Sequence, residues 1–158
     1  RGRLVGRQLA GGQQAAVRFL RPYPRGGILA VEAGGGPDTP DTLRLFDFEA
    51  FEARATPLPA GRPATGVNVY FDGRIVISCG AHDPVTGAVP GTLFVVSPGT
   101  EGCTYLSIPG HPGGTDDCLA MGPRIVSCGR EPGGGSAVRV WGSEFYVRTE
   151  LGKLFIKS

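Results

Sequence analysis

Apolar residues along this chain come in short runs separated by glycine, proline and polar residues, never in long amphipathic stretches. Three segments, 28–34, 74–80 and 123–129, are each a short apolar run closed by glycine, at Gly34, Gly80 and Gly129. The second and third share an ending, Ser78-Cys79-Gly80 and Ser127-Cys128-Gly129. A polar loop and a second run follow each one, at 42–47, 92–97 and 137–142, and then a third run at 53–59, 103–109 and 145–149. Another run precedes each glycine-closed segment, at 15–20, 66–71 and 117–121. Asp72-Gly73 between 66–71 and 74–80 is a strong short-range hairpin signal. Pro59 and Pro109 close two of the third runs. Proline removes a ladder donor, so these runs belong at sheet edges. No window carries the helical period of apolar residues over eleven or more positions, so helix should be nearly absent. The continuous apolar stretches 75–77 and 93–96 lack the alternation of a half-solvated strand, which predicts strands covered on both faces.

Internal repetition at 45–50 residues with four antiparallel strands per unit is the arithmetic of a β-propeller blade. The chain reads as all-β, one repeat-built domain with units at 13–59, 64–109 and 114–150. Residues 1–12 form a basic arm or strand, and 153–156 read as the start of a further unit. Propellers have about four to eight blades, so three units imply a partial or split ring. The rival architecture is a β-trefoil, which also has three four-strand repeats. Its units are shorter and lack the glycine-closed central run.

The stretch 55–80 resembles the kelch repeat. It runs from Pro57-Leu58-Pro59 through Arg62-Pro63 and a small-residue strand to Asp72-Gly73-Arg74 and the apolar run. The family's glycine pair becomes Ala33-Gly34, Cys79-Gly80 and Cys128-Gly129 here. Ala55 stands where the family has tryptophan, segment 110–114 lacks the Arg-Pro, and 138–141 is equally similar to a WD-repeat strand. The resemblance spans roughly 13–150. It implies a non-enzymatic scaffold that binds another protein through its inter-strand loops. Those after each glycine-closed run, 35–41, 81–91 and 130–136, differ in length and charge between units while the flanking runs stay alike. Their contact candidates are Asp38, Asp41, His82, Asp83, Arg130 and Glu131.

Composition adds bounds. At 158 residues and 41% hydrophobic content the chain suits one domain. The 27 glycines and 14 prolines punctuate strands instead of forming one low-complexity tract. Net charge is +2, yet six arginines (Arg1, Arg3, Arg7, Arg18, Arg21, Arg25) precede the first acid, Glu32. Such an arm steers toward acidic partners or nucleic acid. A solvated strand edge is the preferred reading, and 18–23 is the only stretch that interleaves arginine with aromatics. Partners are therefore expected to be another protein or a second chain completing the ring. Membrane is not expected, since no run has the length to span a bilayer as helix.

Candidate chemistry is sparse. Cys79, Cys103, Cys118 and Cys128 show no zinc-type spacing. Reduced thiols in an intracellular protein are expected, with Cys79 and Cys128 read as one small buried residue reused; secretion stays open because the chain begins at Arg1. His82-Asp83 precedes Pro84 and reads as a turn, and His111 lies in a Gly-Pro loop. Asp116 and Asp117 are adjacent and point to opposite faces of a strand, so they do not share a metal. There is no Gly-x-Ser-x-Gly elbow, and Gly34-Gly35-Gly36 and Gly133-Gly134-Gly135 are not followed by a helix that would cradle phosphate. The copper-ligand set of some kelch-like oxidases cannot be assembled. The expectation is no enzyme, no cofactor and no metal. Two alternatives stand beside the scaffold: a carbohydrate-binding trefoil lectin that stacks sugars on Tyr105, Trp141 or Tyr146, and a structural subunit of a viral or ribonucleoprotein assembly held by the basic arm.

Overall fold

The computed structural model describes residues 16–24, 26–34, 39–48, 52–59, 63–80, 90–99 and 102–142. Among these there are eleven strands and no helix. The first sheet holds β1 (Val17–Tyr23), β2 (Gly27–Glu32), β3 (Thr42–Asp47) and β4 (Glu52–Pro57), and their order in space is their order in the chain. The second sheet repeats this with β5 (Ala64–Val69), β6 (Ile75–Cys79), β7 (Thr92–Pro98) and β8 (Cys103–Pro109). The third holds β9 (Thr115–Met121), β10 (Arg124–Arg130) and β11 (Ser136–Trp141). Every neighbouring pair is antiparallel. The expected strand at 145–149, the arm 1–12 and the run 153–156 lie outside the described residues.

These are open meander sheets stacked one on the next, an arrangement consistent with a partial β-propeller. A trefoil would join strands of different repeats into one barrel. Here, among the described residues, each strand pairs only within its own sheet. The proline-ended runs become β4 and β8, both at sheet edges, as their missing donors require. At the β5–β6 turn, Gly73 takes φ 89°, and Asp72 Oδ1 accepts the Arg74 N–H at 3.1 Å. That pairing of aspartate with a left-handed glycine is the hairpin device the sequence announces.

The continuous apolar run of β6 follows from its position. Ile75 and Ile77 enter a core shared with Leu29, Val31 and Leu43 of the first sheet. Val76, on the opposite face, enters a second core with Leu93, Cys118, Ile125 and Trp141. Successive side chains still alternate, but both faces are covered, so no polar residue is called for. Close approach also has its own residue: a Cβ on Gly66 of β5 would overlap Asp117 Oδ1 of β9.

The repeats do not superpose as their matching endings suggest. Cys79 is buried in the core against the first sheet, whereas Cys128 is exposed. The Thr65 hydroxyl donates to the β9 carbonyl of Thr115 at 2.7 Å, and Ser78 Oγ lies 3.0 Å from the same hydroxyl oxygen. Ser127 lies beside Trp141, on the side of β10 that faces the second sheet. The two serines therefore point into the same gap from opposite walls. The reading of Cys79 and Cys128 as one reused buried position is corrected: a one-residue slip in register exchanges the faces.

No disulfide links the four cysteines. Burial pushes the Cys118 thiol up to about 12. Thiolates are the reactive form. Cys128 is accordingly expected to react with a thiol reagent in the native protein, with Cys79 and Cys118 reacting only after unfolding. Mass spectrometry of alkylated peptides with and without denaturant checks this, and native labelling of Cys118 would contradict it.

Candidate functional site

Buried polar side chains collect where the second sheet hands over to the third. His111 follows β8 by two residues and is fully buried, and Ser127 of β10 is 1% exposed. Trp141 Nε1 donates to Ser127 Oγ at 2.9 Å. His111 Nε2 stands 3.1 Å from the same oxygen, and His111 Nδ1 stands 3.0 Å from Glu131 Oε1. Indole N–H only donates and carboxylate only accepts. In the neutral imidazole, then, the Ser127 hydroxyl donates to Nε2 and Nδ1–H donates to Glu131. Arg139 closes the chain with a 2.7 Å bond to Glu131 Oε2. Thr115 Oγ1 accepts the His111 backbone N–H at 3.1 Å.

Serine, histidine and carboxylate in this order are the parts of a hydrolase relay. Their burial decides against that use. A hydroxyl sealed between two sheets meets no substrate, and here it holds tryptophan and histidine in place. Glycine makes room for the ring: a Cβ on Gly129 would come within 2.6 Å of His111 Cγ.

Arg139 and, foremost, the His111 hydrogen bond hold the Glu131 carboxyl below its ordinary range. A depressed carboxylate stabilises the fold above its unfolded value, and that contribution fades as pH falls through the folded one. Glu131→Gln should therefore lower the melting temperature at neutral pH. The gap to wild type should close on acidification below about 4.3. Melting curves followed by circular dichroism test it, and a gap that persists at low pH would refute it.

The junction between the first and second sheets is built differently. Asp41, immediately before β3, is 3% exposed. Its Oδ1 accepts the Gly34 N–H at 2.8 Å and its Oδ2 accepts the Ala64 N–H at 2.9 Å. Arg18 adds an ion pair at 3.4 Å. One carboxylate thus ties both ends of the 34–41 loop to the start of the next sheet. At the next junction Gly91 occupies the place before β7, and a Cβ there would overlap Thr115 Oγ1. Backbone replaces carboxylate: Gly91 N donates to His111 O at 2.9 Å, Gly110 N to Gly91 O at 3.0 Å and Thr115 N to Gly80 O at 2.8 Å.

Of the loop residues singled out from sequence, Asp41 and Glu131 are thus engaged by their own chain. Arg130 is exposed, and its backbone pairs with Gly113 and Gly114. Asp38, His82 and Asp83 lie outside the described residues. Asp116 and Asp117 are exposed, and Asp117 Oδ1 accepts the Cys118 N–H at 2.8 Å. Among the described residues no three histidine, cysteine, aspartate or glutamate side chains converge to hold a metal. Sequence reasoning passed over Ser127, Thr115 and Arg139 and read His111 as a plain loop residue. The available signal was a histidine between glycine and proline at the joint of two units, where backbone crowding leaves room for one buried ring. A scan against protein-family models finds no match for this chain, and a search of the curated proteins finds none either.

Proposed function

We propose that the chain is a non-enzymatic protein-interaction scaffold of kelch-like, partial-propeller build, contacting another protein through loops 35–41, 81–91 and 130–136. One observation supports this reading above the others: the roots of these loops are fixed while their sequences diverge. Asp41 anchors the first to β5, Gly80 and Gly91 anchor the second to the segment entering β9, and Glu131 anchors the third through His111 and Arg139. Rigid roots under variable tips separate the scaffold from the recognition surface.

The test replaces 81–89 and 132–135 by glycine-serine segments of equal length, leaving every anchoring residue intact. Proteins captured from a cell extract by the wild-type chain should be lost from the variant, while its melting temperature stays within a degree or two of wild type. Capture unchanged by the replacement would overturn the reading.

A further inference from the structure

Ala30, Glu32 and Phe46 share one face of the first sheet with Ile28 and Arg44, turned away from Leu29, Val31 and Leu43. The first sheet packs on the second through the opposite face, and among the described residues no strand packs on this one. Yet Ala30 is 2% exposed, Glu32 5% and Phe46 6%. The Glu32–Arg44 pair, with contacts of 2.9 and 2.8 Å, is buried along with them. A phenylalanine ring on an open sheet face keeps much of its surface in water, so this face is covered.

The second sheet indicates by what. Val96 stands opposite Ile75 in β6 as Phe46 stands opposite Ile28 in β2, so Ile77 corresponds to Ala30 and Cys79 to Glu32. Val96, Ile77 and Cys79 are buried by the part of the chain that precedes β5, and Leu58 belongs to the same core. Ile108, ahead of β9, repeats this in the next core. A recurring backbone bond gives the spacing. Pro63 O accepts the Gly80 N–H, Gly114 O accepts the Arg130 N–H, and Ala16 O accepts the Ala33 N–H. Leu58 stands five residues before Pro63 and Ile108 six before Gly114. Leu9, seven before Ala16, is the large apolar side chain nearest the corresponding place.

We infer that residues 1–15 lie across the outer face of the first sheet, with Leu9 seated on Phe46 and Ala30, so that the chain roofs its own first sheet. Length permits it: fifteen extended residues reach about 50 Å, and four strands side by side span about 15 Å. The connections 35–38 and 49–51 are only a few residues long and leave from the ends of this sheet, whereas Ala30 lies in mid-strand. An arm held in this way is not a free basic tether, although it carries Arg1, Arg3 and Arg7. The inference therefore weighs against the reading of the chain as an assembly subunit held by that arm, and it is independent of the loop-binding reading.

Two measurements on the full chain test it. Trypsin should cleave after Arg7 slowly in the native protein, and Leu9→Asp should speed that cleavage by about tenfold or more by freeing the arm. Leu9→Ala should lower the melting temperature by roughly 5 °C and Phe46→Ala by roughly 10 °C. Because the two side chains meet, the double variant should lose several degrees less than the sum. Phe46→Leu completes the same cycle if Phe46→Ala does not fold. Leu154→Ala, in the segment 143–158, should add to Phe46→Ala without coupling. Cleavage after Arg7 that is as fast in the wild type as in Leu9→Asp, strict additivity of the Leu9 and Phe46 variants, or coupling of Phe46 to Leu154 in place of Leu9 would each overturn the inference.

Discussion

Truncating Trp141 to alanine is expected to lower the unfolding free energy by about 4 kcal/mol, the usual cost of removing a buried indole from a core. Trp141 is the only tryptophan in the chain and is 3% exposed, packed with Val76, Leu93, Ile108 and Ile125 between the second and third sheets. For a chain of this length that loss lowers the melting temperature by roughly 8–16 °C. Far-UV circular dichroism must follow it, since the variant has no tryptophan emission. Trp141→Phe keeps most of the ring packing and removes the donor to Ser127, and its cost should be about 1–2 kcal/mol. Equal losses from both variants would mean that the hydrogen bond, not the packing, holds the third sheet. An alanine variant less than about 1 kcal/mol below wild type would show that the sheet is held elsewhere.

Gly129→Ala is the second large effect, expected at about 3 kcal/mol, at the upper end for forcing one extra carbon into a packed site. The added methyl would overlap the Gly114 carbonyl oxygen and crowd His111 Cγ. Neither wall yields easily. Gly114 O accepts the Arg130 N–H at 2.9 Å, Gly113 N donates to Arg130 O at 2.8 Å, and the His111 ring is gripped by Ser127 and Glu131. Urea unfolding of Gly129→Ala, His111→Ala and the double variant forms a cycle. Clearing the ring removes the Cγ contact and leaves those with Gly114 O and His111 Cβ, so the double variant should be more stable than the sum of the single losses predicts. Strict additivity would show that the methyl does not meet the ring.

Strand positions were legible because hydrophobic runs and turn residues are local signals. Thr42–Asp47 and Cys103–Pro109 are read from sequence with the bounds that the fold gives them. Sheet edges were legible as well, because proline states its own hydrogen-bond deficit. What sequence did not reveal depends on side chains far apart in the chain. Asp41 and Glu131 look like solvated loop acids, and only tertiary contact turns one toward Ala64 and the other toward His111, twenty residues away. Neither partner is marked by spacing. The facing of β10 is hidden from sequence for a related cause: Ser-Cys-Gly occurs twice, yet its cysteine is buried in one copy and exposed in the other. Chain direction and pleat settle facing, and a loop one residue longer or shorter reverses it without altering a single residue type.

That reversal bears on any attempt to idealise the protein. A consensus unit averaged from the three segments by letter would mix lining residues such as Cys79 with surface residues such as Cys128. It would hand the designer a strand with no inside. Averaging by wall instead, taking Ile77 with Ser127 and Val76 with Val126, gives a template whose copies tile in series, each presenting to its successor the surface that the successor was shaped to meet.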